Sequence, residues 1–312
     1  MLSNLDPSAE LFLADVARIQ CQIADANRQV SSGKRIATPD DAPDDIAPLL
    51  QLRAERSHNT RVQSNLDLAQ ADANAADTAS GSALQLMDRA QTLAAQAANG
   101  VLDDSARASI AGEVQAIQDE MVGLSNTSSA GRYIFSGDAD SGPAYQLDLN
   151  NPAAVNGATV ASSAASTRAI EDPAGGSFAA SKPAQEIFDS RNANGSTAAD
   201  NVFAALNNLR LAILDSATGD TTAIQAALSG IKQASVRLNT EESFYGSVET
   251  RIQNAQNYAT NRDTQLQTQL SQLQDADVAQ AALQLTQSNT QLSAAFQARA
   301  RMPTKTLFDY LG

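Results

Sequence analysis

The sequence predicts a mainly α protein: an elongated antiparallel helical bundle of N- and C-terminal helices, with a small β-rich or irregular module inserted between them. Three observations carry that expectation. Apolar residues recur at alternating spacings of four and three near both ends of the chain, the narrow stripe along which one helix packs on another. Long Ala-rich stretches inside the ends keep the same rhythm. From about residue 131 to 197 the rhythm stops, and Gly, Pro, Ser and Asn crowd in.

At the N-terminal end the stripe consists of Leu5, Ala9, Phe12, Val16, Ile19, Ile23, Ala26 and Val30. At the C-terminal end it consists of Val278, Ala282, Leu285, Leu292 and Phe296, with Asn289 as its polar member. Residues 1–33 and 278–312 are therefore expected to form terminal helices that pair with each other or with other copies. Ser31-Ser32-Gly33 and then Pro39 and Pro43 end the first helix and predict a stiff connector over 34–45. The four Asp of that connector (Asp40, Asp41, Asp44, Asp45) lack the residue order of a calcium loop and read as turn and cap chemistry.

A rod of helices is expected over 46–130 and 198–277. Its first seam runs through Val62, Leu66, Ala69, Ala73, Ala76, Ser80, Ala83, Met87, Ala90, Ala94 and Ala97. Ala at most of these positions lets neighbouring helices approach closely, and 62–97 rises about 54 Å as a helix. Asn99-Gly100 predicts its end, and Asp103, Asp104 or Ser105 can cap a following helix with seam Ile110, Val114, Ile117, Met121 and Leu124. Beyond the module, Val202, Leu206, Leu209 and Ile213 start another helix. One heptad frame then runs from Ile224 through Ile231, Leu238, Tyr245, Ile252, Ala259 and Leu266 to Leu273, slipping at Gln274–Asp277. The module itself, 131–197, is expected to be exposed and to hold strand-like pieces at 132–135, 145–149 and 156–160.

Composition excludes more than it assigns. With 21 Lys+Arg against 35 Asp+Glu the net charge is −14, which removes the basic footprint that nucleic-acid binding needs and disfavours anionic membranes. No run approaches the roughly 20 apolar residues of a membrane span. Cys21 is the sole cysteine and His58 the sole histidine, the latter expected on an exposed helix start, so thiolate zinc sites, internal disulfides and histidine-based catalysis have no basis. No phosphate-binding, dinucleotide or metalloprotease motif is present, and neither an enzyme activity nor a cofactor is expected. No cleavable secretory signal is evident at the N-terminus.

Several segments together resemble the flagellin superfamily. Ser31-Ser32-Gly33-Lys34-Arg35-Ile36 followed by Pro39-Asp40-Asp41-Ala42-Pro43 is similar to its N-terminal signature, and Leu93–Gly100 resembles the end of its long core helix. Ala276-Asp277-Val278-Ala279 through Leu292 to Leu307-Phe308-Asp309-Tyr310-Leu311 is similar to its C-terminal helix. Within the superfamily, Gly131-Arg132-Tyr133-Ile134-Phe135-Ser136-Gly137 resembles the hook-filament junction branch more than the filament branch.

The resemblance implies an extracellular structural subunit of the bacterial flagellum, exported by the flagellar secretion apparatus without a cleaved signal. It implies self-association, contacts with a hook-side junction protein and with flagellin, and a cytosolic export chaperone on the C-terminal helix. The terminal helices are expected to be disordered in the monomer and to pair on assembly through Leu5, Phe12, Val16, Ile19, Ile23, Val30, Val278, Leu285, Leu292, Phe296, Leu307 and Leu311. A filament-forming flagellin is the alternative, and a secreted coiled-coil binding module unrelated to motility is a second.

Overall fold

A computed structural model describes residues 7–98, 102–149, 156–164, 166–215 and 221–301. The described residues hold seven α-helices: α1 Pro7–Ser32, α2 Pro43–Ala98, α3 Asp104–Ser125, α4 Ala184–Phe188, α5 Val202–Asp215, α6 Thr222–Gln274 and α7 Val278–Arg301. Three two-stranded antiparallel hairpins complete the fold: β1 Ser128–Ser129 with β2 Arg132–Tyr133, β3 Tyr145–Leu147 with β4 Ala158–Val160, and β5 Ala169–Glu171 with β6 Ser177–Ala179. The chain divides into two compact units, one formed by residues up to His58 and from Arg262 onward, the other by Asn59–Asn261. Helices α2 and α6 contribute to both.

In the 59–261 unit, all eleven residues of the expected 62–97 seam are buried, from Val62 to Ala97. Their partner is α6, which runs antiparallel to α2. Asn59 Nδ2 donates to the Ala259 carbonyl at 2.8 Å, Gln256 Nε2 to Asp67 Oδ1 at 2.9 Å, and Gln91 Nε2 to Ser235 Oγ at 3.1 Å. Ala on the α2 side faces larger residues of α6 (Ile231, Leu238, Tyr245 and Ile252 among them), so small and large side chains alternate across the seam. Helix α3 begins where Asp103 accepts the Ala106 N–H at 2.7 Å, and it packs on α5 through Val114, Ile117 and Met121. Asn201 caps α5 the same way, its Oδ1 accepting the Ala204 N–H at 2.9 Å.

The 131–197 segment departs from its sequence reading. It is not an exposed insertion: Phe135, Tyr145, Ile187 and Phe188 are almost wholly buried and share one apolar cluster with α2, α3, α5 and α6. Phe135 meets Tyr245 and Phe188 edge-on, and Phe188 stacks on Phe203. Aromatics make up only 4% of the chain, and they concentrate here. The reason is geometric. Ala-lined helices bury little volume each, so the bulky side chains that exclude water sit where helices, hairpins and loops converge.

Strands were expected at 132–135, 145–149 and 156–160; β2, β3 and β4 are shorter, and β5–β6 was not anticipated. That last hairpin covers the second cluster, where Phe178 packs with Val62, Leu66, Val248 and Ile252 under the Arg251 guanidinium, 4.2 Å from the ring centroid. His58 lies well inside α2 rather than at a helix start, because α2 begins at Pro43, with Pro at a first helical position where its missing N–H costs nothing. The expected turns at Asn99-Gly100 and Thr218-Gly219-Asp220 lie outside the described residues.

Candidate assembly interface

Helices α1 and α7 pair antiparallel within their own unit. Phe12, early in α1, lies edge-on to Phe296, late in α7, with ring centroids 6.0 Å apart, and the Arg299 guanidinium sits 5.7 Å from the Phe12 centroid. On α1 the seam is Phe12, Val16, Ile19, Ile23 and Ala26. Val16, Ile19 and Ala26 are buried, and Phe12 and Ile23 are half-buried. Val30, at the end of the stripe, is exposed.

On α7 the phase differs by one residue from the sequence pattern. Leu285 and Leu292 are half-buried as part of the seam, yet the buried flank beside them is Ala281 and Ser288, continued by half-buried Ala295. Ala282, Asn289 and Phe296 lie on the exposed flank, and Val278 is exposed as well. Small residues won the inner flank because Ala281 and Ser288 let the backbones approach closely, whereas Phe296 fits only at the margin. Leu5, Leu307 and Leu311 lie outside the described residues. A second apolar set stays open to solvent on this pair: Leu11 (69% exposed), Leu13, Leu283 (59%) and Phe296.

Where α1 leads to α2 and α6 to α7, the two connections clasp each other. Backbone N–H groups of Arg35 and Ile36 donate to the Gln274 carbonyl at 2.7 and 3.2 Å, and Ala276 N–H donates to the Gly33 carbonyl at 2.9 Å. Arg35 Nη2 donates to the Leu273 carbonyl at 2.8 Å and pairs with Asp45 at 2.9 Å. The Arg35 guanidinium and two N–H groups thus satisfy the Leu273 and Gln274 carbonyls, which α6 cannot satisfy by itself, at the negative end of its dipole. Gly33 turns the chain with φ +67°, a conformation its missing Cβ permits.

Asp41 closes the connector's own turn. Its Oδ2 accepts the Thr38 N–H at 2.7 Å and the Ala37 N–H at 2.9 Å, while its Oδ1 pairs with Arg28 of α1 at 3.1 Å. The Thr38 and Ala37 N–H bonds hold the Asp41 carboxyl below its ordinary value, with Arg28 adding to the effect. Asp277 then starts α7 by accepting the Ala279 and Gln280 N–H groups, both at 3.0 Å. The acidic connector is a set of turns and caps. Among the described residues, no group of three or more His, Cys, Asp or Glu is placed to hold a metal ion, and no helix is long and apolar enough to cross a membrane.

Sequence reasoning missed two features: the clasp and a buried polar node at Asp189. Arg35 and Gln274 are 239 positions apart, and nothing in the local pattern of either announces the pairing. At the node, the Asp189 carboxylate accepts Asn201 Nδ2 at 2.7 Å, Asn156 Nδ2 at 2.8 Å, Tyr145 Oη at 3.1 Å and Arg191 Nη2 at 2.8 Å. Burial, reinforced by the Asp189 charge, pushes the Tyr145 phenol well above its ordinary value. Asn126, part of a glycosylation-like triplet in the sequence, is committed inward. Its amide donates to the Tyr145 carbonyl and accepts the Ala144 and Tyr145 N–H groups.

Solved structures of flagellar hook-associated proteins are similar to this chain. A Vibrio parahaemolyticus flagellar hook-associated protein superposes with a TM-score of 0.63 at 18% identity, over 75% of this chain and 100% of that one. The FlgL protein of Xanthomonas campestris gives 0.57 at 20% identity, over 69% and 98%. In sequence, flagellar hook-associated protein 3 of Escherichia coli (strain K12) is 25% identical over 295 residues, 90% of each chain. The model of the bacterial flagellin N-terminal helical region matches residues 8–140, and that of the C-terminal helical region matches 228–311. These two matches take in the paired helices α1 and α7, the clasp between them and most of α2 and α6, and the chain belongs to the bacterial flagellin family.

Proposed function

We propose that this protein is a structural subunit of the bacterial flagellum that joins hook to filament, assembling through its terminal helices. The observation that carries this reading is the alignment to hook-associated protein 3 along 90% of both chains, together with a terminal helix pair that leaves apolar residues uncovered. In the free chain α1 and α7 share one narrow seam with small residues at its centre, while Leu11, Leu13, Leu283 and Phe296 meet water. A two-helix pair of this kind gains little from burial relative to the entropy of ordering it. Neighbouring subunits would cover these exposed residues on the flanks of the pair, so ordering of residues 1–33 and 278–312 and assembly become one event. The rod formed by 46–130 and 198–277, with the 131–197 module, then serves as the outer body.

The contacts would be heterologous, one face of a subunit against a different face of the next, which generates a ring or a helical tube. Before export, the exposed apolar residues of α7 are the natural site for a chaperone. Afterwards the same residues meet the hook-side protein and flagellin. The test is genetic and direct. Cells lacking the chain are expected to carry hooks without filaments and to shed filament protein into the medium, with both defects corrected by restoring it. Cells that lack the chain and still grow attached filaments of normal length would refute the junction role.

A further inference from the structure

The 59–261 unit carries a hole and a knob that are complementary to each other. The hole is a cavity of about 310 Å³ between α2 and the β5 hairpin, floored by Ala69, Ala76, Ile134 and Ile170 and rimmed by Leu68, which is 49% exposed. Arg132 stands at its rim, with a side chain 37% exposed and one long ion pair, 3.4 Å to Asp72 Oδ2. Asp72 Oδ2 is shared with Arg168 at 3.2 Å, and Arg168 is held by Asp140 as well. Arg132 is thus the less committed of the two guanidinium groups, with a fork of five donors able to take another carboxylate.

The knob is the outer face of α5. Leu209 and Ile213 face inward and are fully buried, whereas Leu211 and Leu214 are 46% and 49% exposed, three residues apart on one ridge. Asp215 follows directly and is exposed. An apolar ridge ending in a carboxylate matches an apolar cavity with a guanidinium at its rim.

The two cannot meet within one molecule. The hole lies beside residues 65–76 of α2, while α5 lies beside Ala223–Gly230 of α6. Given the antiparallel register in which Asp67 faces Gln256 and Gln91 faces Ser235, those levels are roughly 40 Å apart along α2 at 1.5 Å per residue. Across two copies the same displacement makes a head-to-tail contact that can repeat from subunit to subunit.

We propose that, in the assembled state, Leu211 and Leu214 of one subunit fill this cavity in its neighbour, with Asp215 on the neighbour's Arg132. The proposal rests on the assembly reading above and names the contact between outer bodies. The test uses flagella isolated from cells carrying the chain with Cys21→Ala, to which Leu68→Cys and Leu214→Cys are added singly and together. Mild oxidation is expected to give dimers and a ladder of higher species only in the double variant. Chain present in the flagella without a cross-link would overturn the contact and leave the functional reading standing. Chain absent from flagella even in the Cys21→Ala parent would overturn both. A second variant, Leu214→Asp, alters an exposed position. Its melting temperature should be unchanged while its amount in flagella falls at least ten-fold, and normal incorporation would contradict the proposal.

Discussion

Ala130 holds a conformation that alanine adopts reluctantly. With φ +50° it is the described non-glycine residue in the left-handed region, followed by Gly131 at φ +78° in the two-residue turn between β1 and β2. A turn with two positive φ angles favours Asn or Asp followed by Gly. Ala130→Asn is therefore expected to raise stability by about 0.5–1 kcal/mol, read as a higher urea midpoint with an unchanged slope. Asp189 is the opposite case, with its side chain only 2% exposed. Replacing it by Ala leaves Arg191, Asn156 and Asn201 with unmet donors around a hole, and a loss of about 3–5 kcal/mol in urea unfolding is expected. Neither residue stood out in the sequence. Ala130 is an unremarkable Ala-Gly pair, and the partners of Asp189 come from four separate stretches of chain.

At the scale of elements, periodicity carried the long helices and failed where contacts are specific. The α2 seam was readable because each of its members meets the same kind of partner along one straight face. The α7 seam was misphased because two adjacent stripes compete there, and a hydrophobic count favoured Phe296 over the smaller Ala281 and Ser288 that allow close approach. On α1, Phe12, Val16, Ile19, Ile23 and Ala26 could be read as a helix seam for the same reason as the α2 residues, while Val30 falls outside it. Hairpins of two or three residues per strand carry too little pattern to register, so β5–β6 escaped. The clasp also has no periodic signature, and its value is measurable. Arg35→Ala removes a cation from the α6 C-terminus at a side chain 44% exposed, so a cost of about 1 kcal/mol is expected, with faster amide exchange confined to residues 33–36 and 273–276.

The connector's Asp41 gives this element a pH dependence. Its folded-state carboxyl titrates below the unfolded value of about 3.9, so its stabilising contribution is complete above that value and vanishes as pH falls through the lower folded one. The thermal stability of the parent protein should fall on acidification over that window. Asp41→Asn is expected to melt lower at neutral pH and to converge with the parent once the pH has fallen through the folded-state value. Parallel curves for the two proteins across that range would refute the role given to Asp41.

For the whole molecule, the division of labour follows from where bulk is placed. The 59–261 unit holds most of the described aromatics and both apolar clusters. The terminal pair has one thin seam, a clasp and apolar residues left uncovered on its flanks, which suits an element that completes itself only among neighbours. The most direct measurement is limited proteolysis of the purified chain beside the same chain in isolated flagella. The account predicts rapid cleavage within α1 and α7 of the free protein, a resistant core spanning 59–261, and protection of both helices after assembly. Terminal helices that resist protease equally in the free monomer would contradict it, and would restore the self-contained coiled-coil reading.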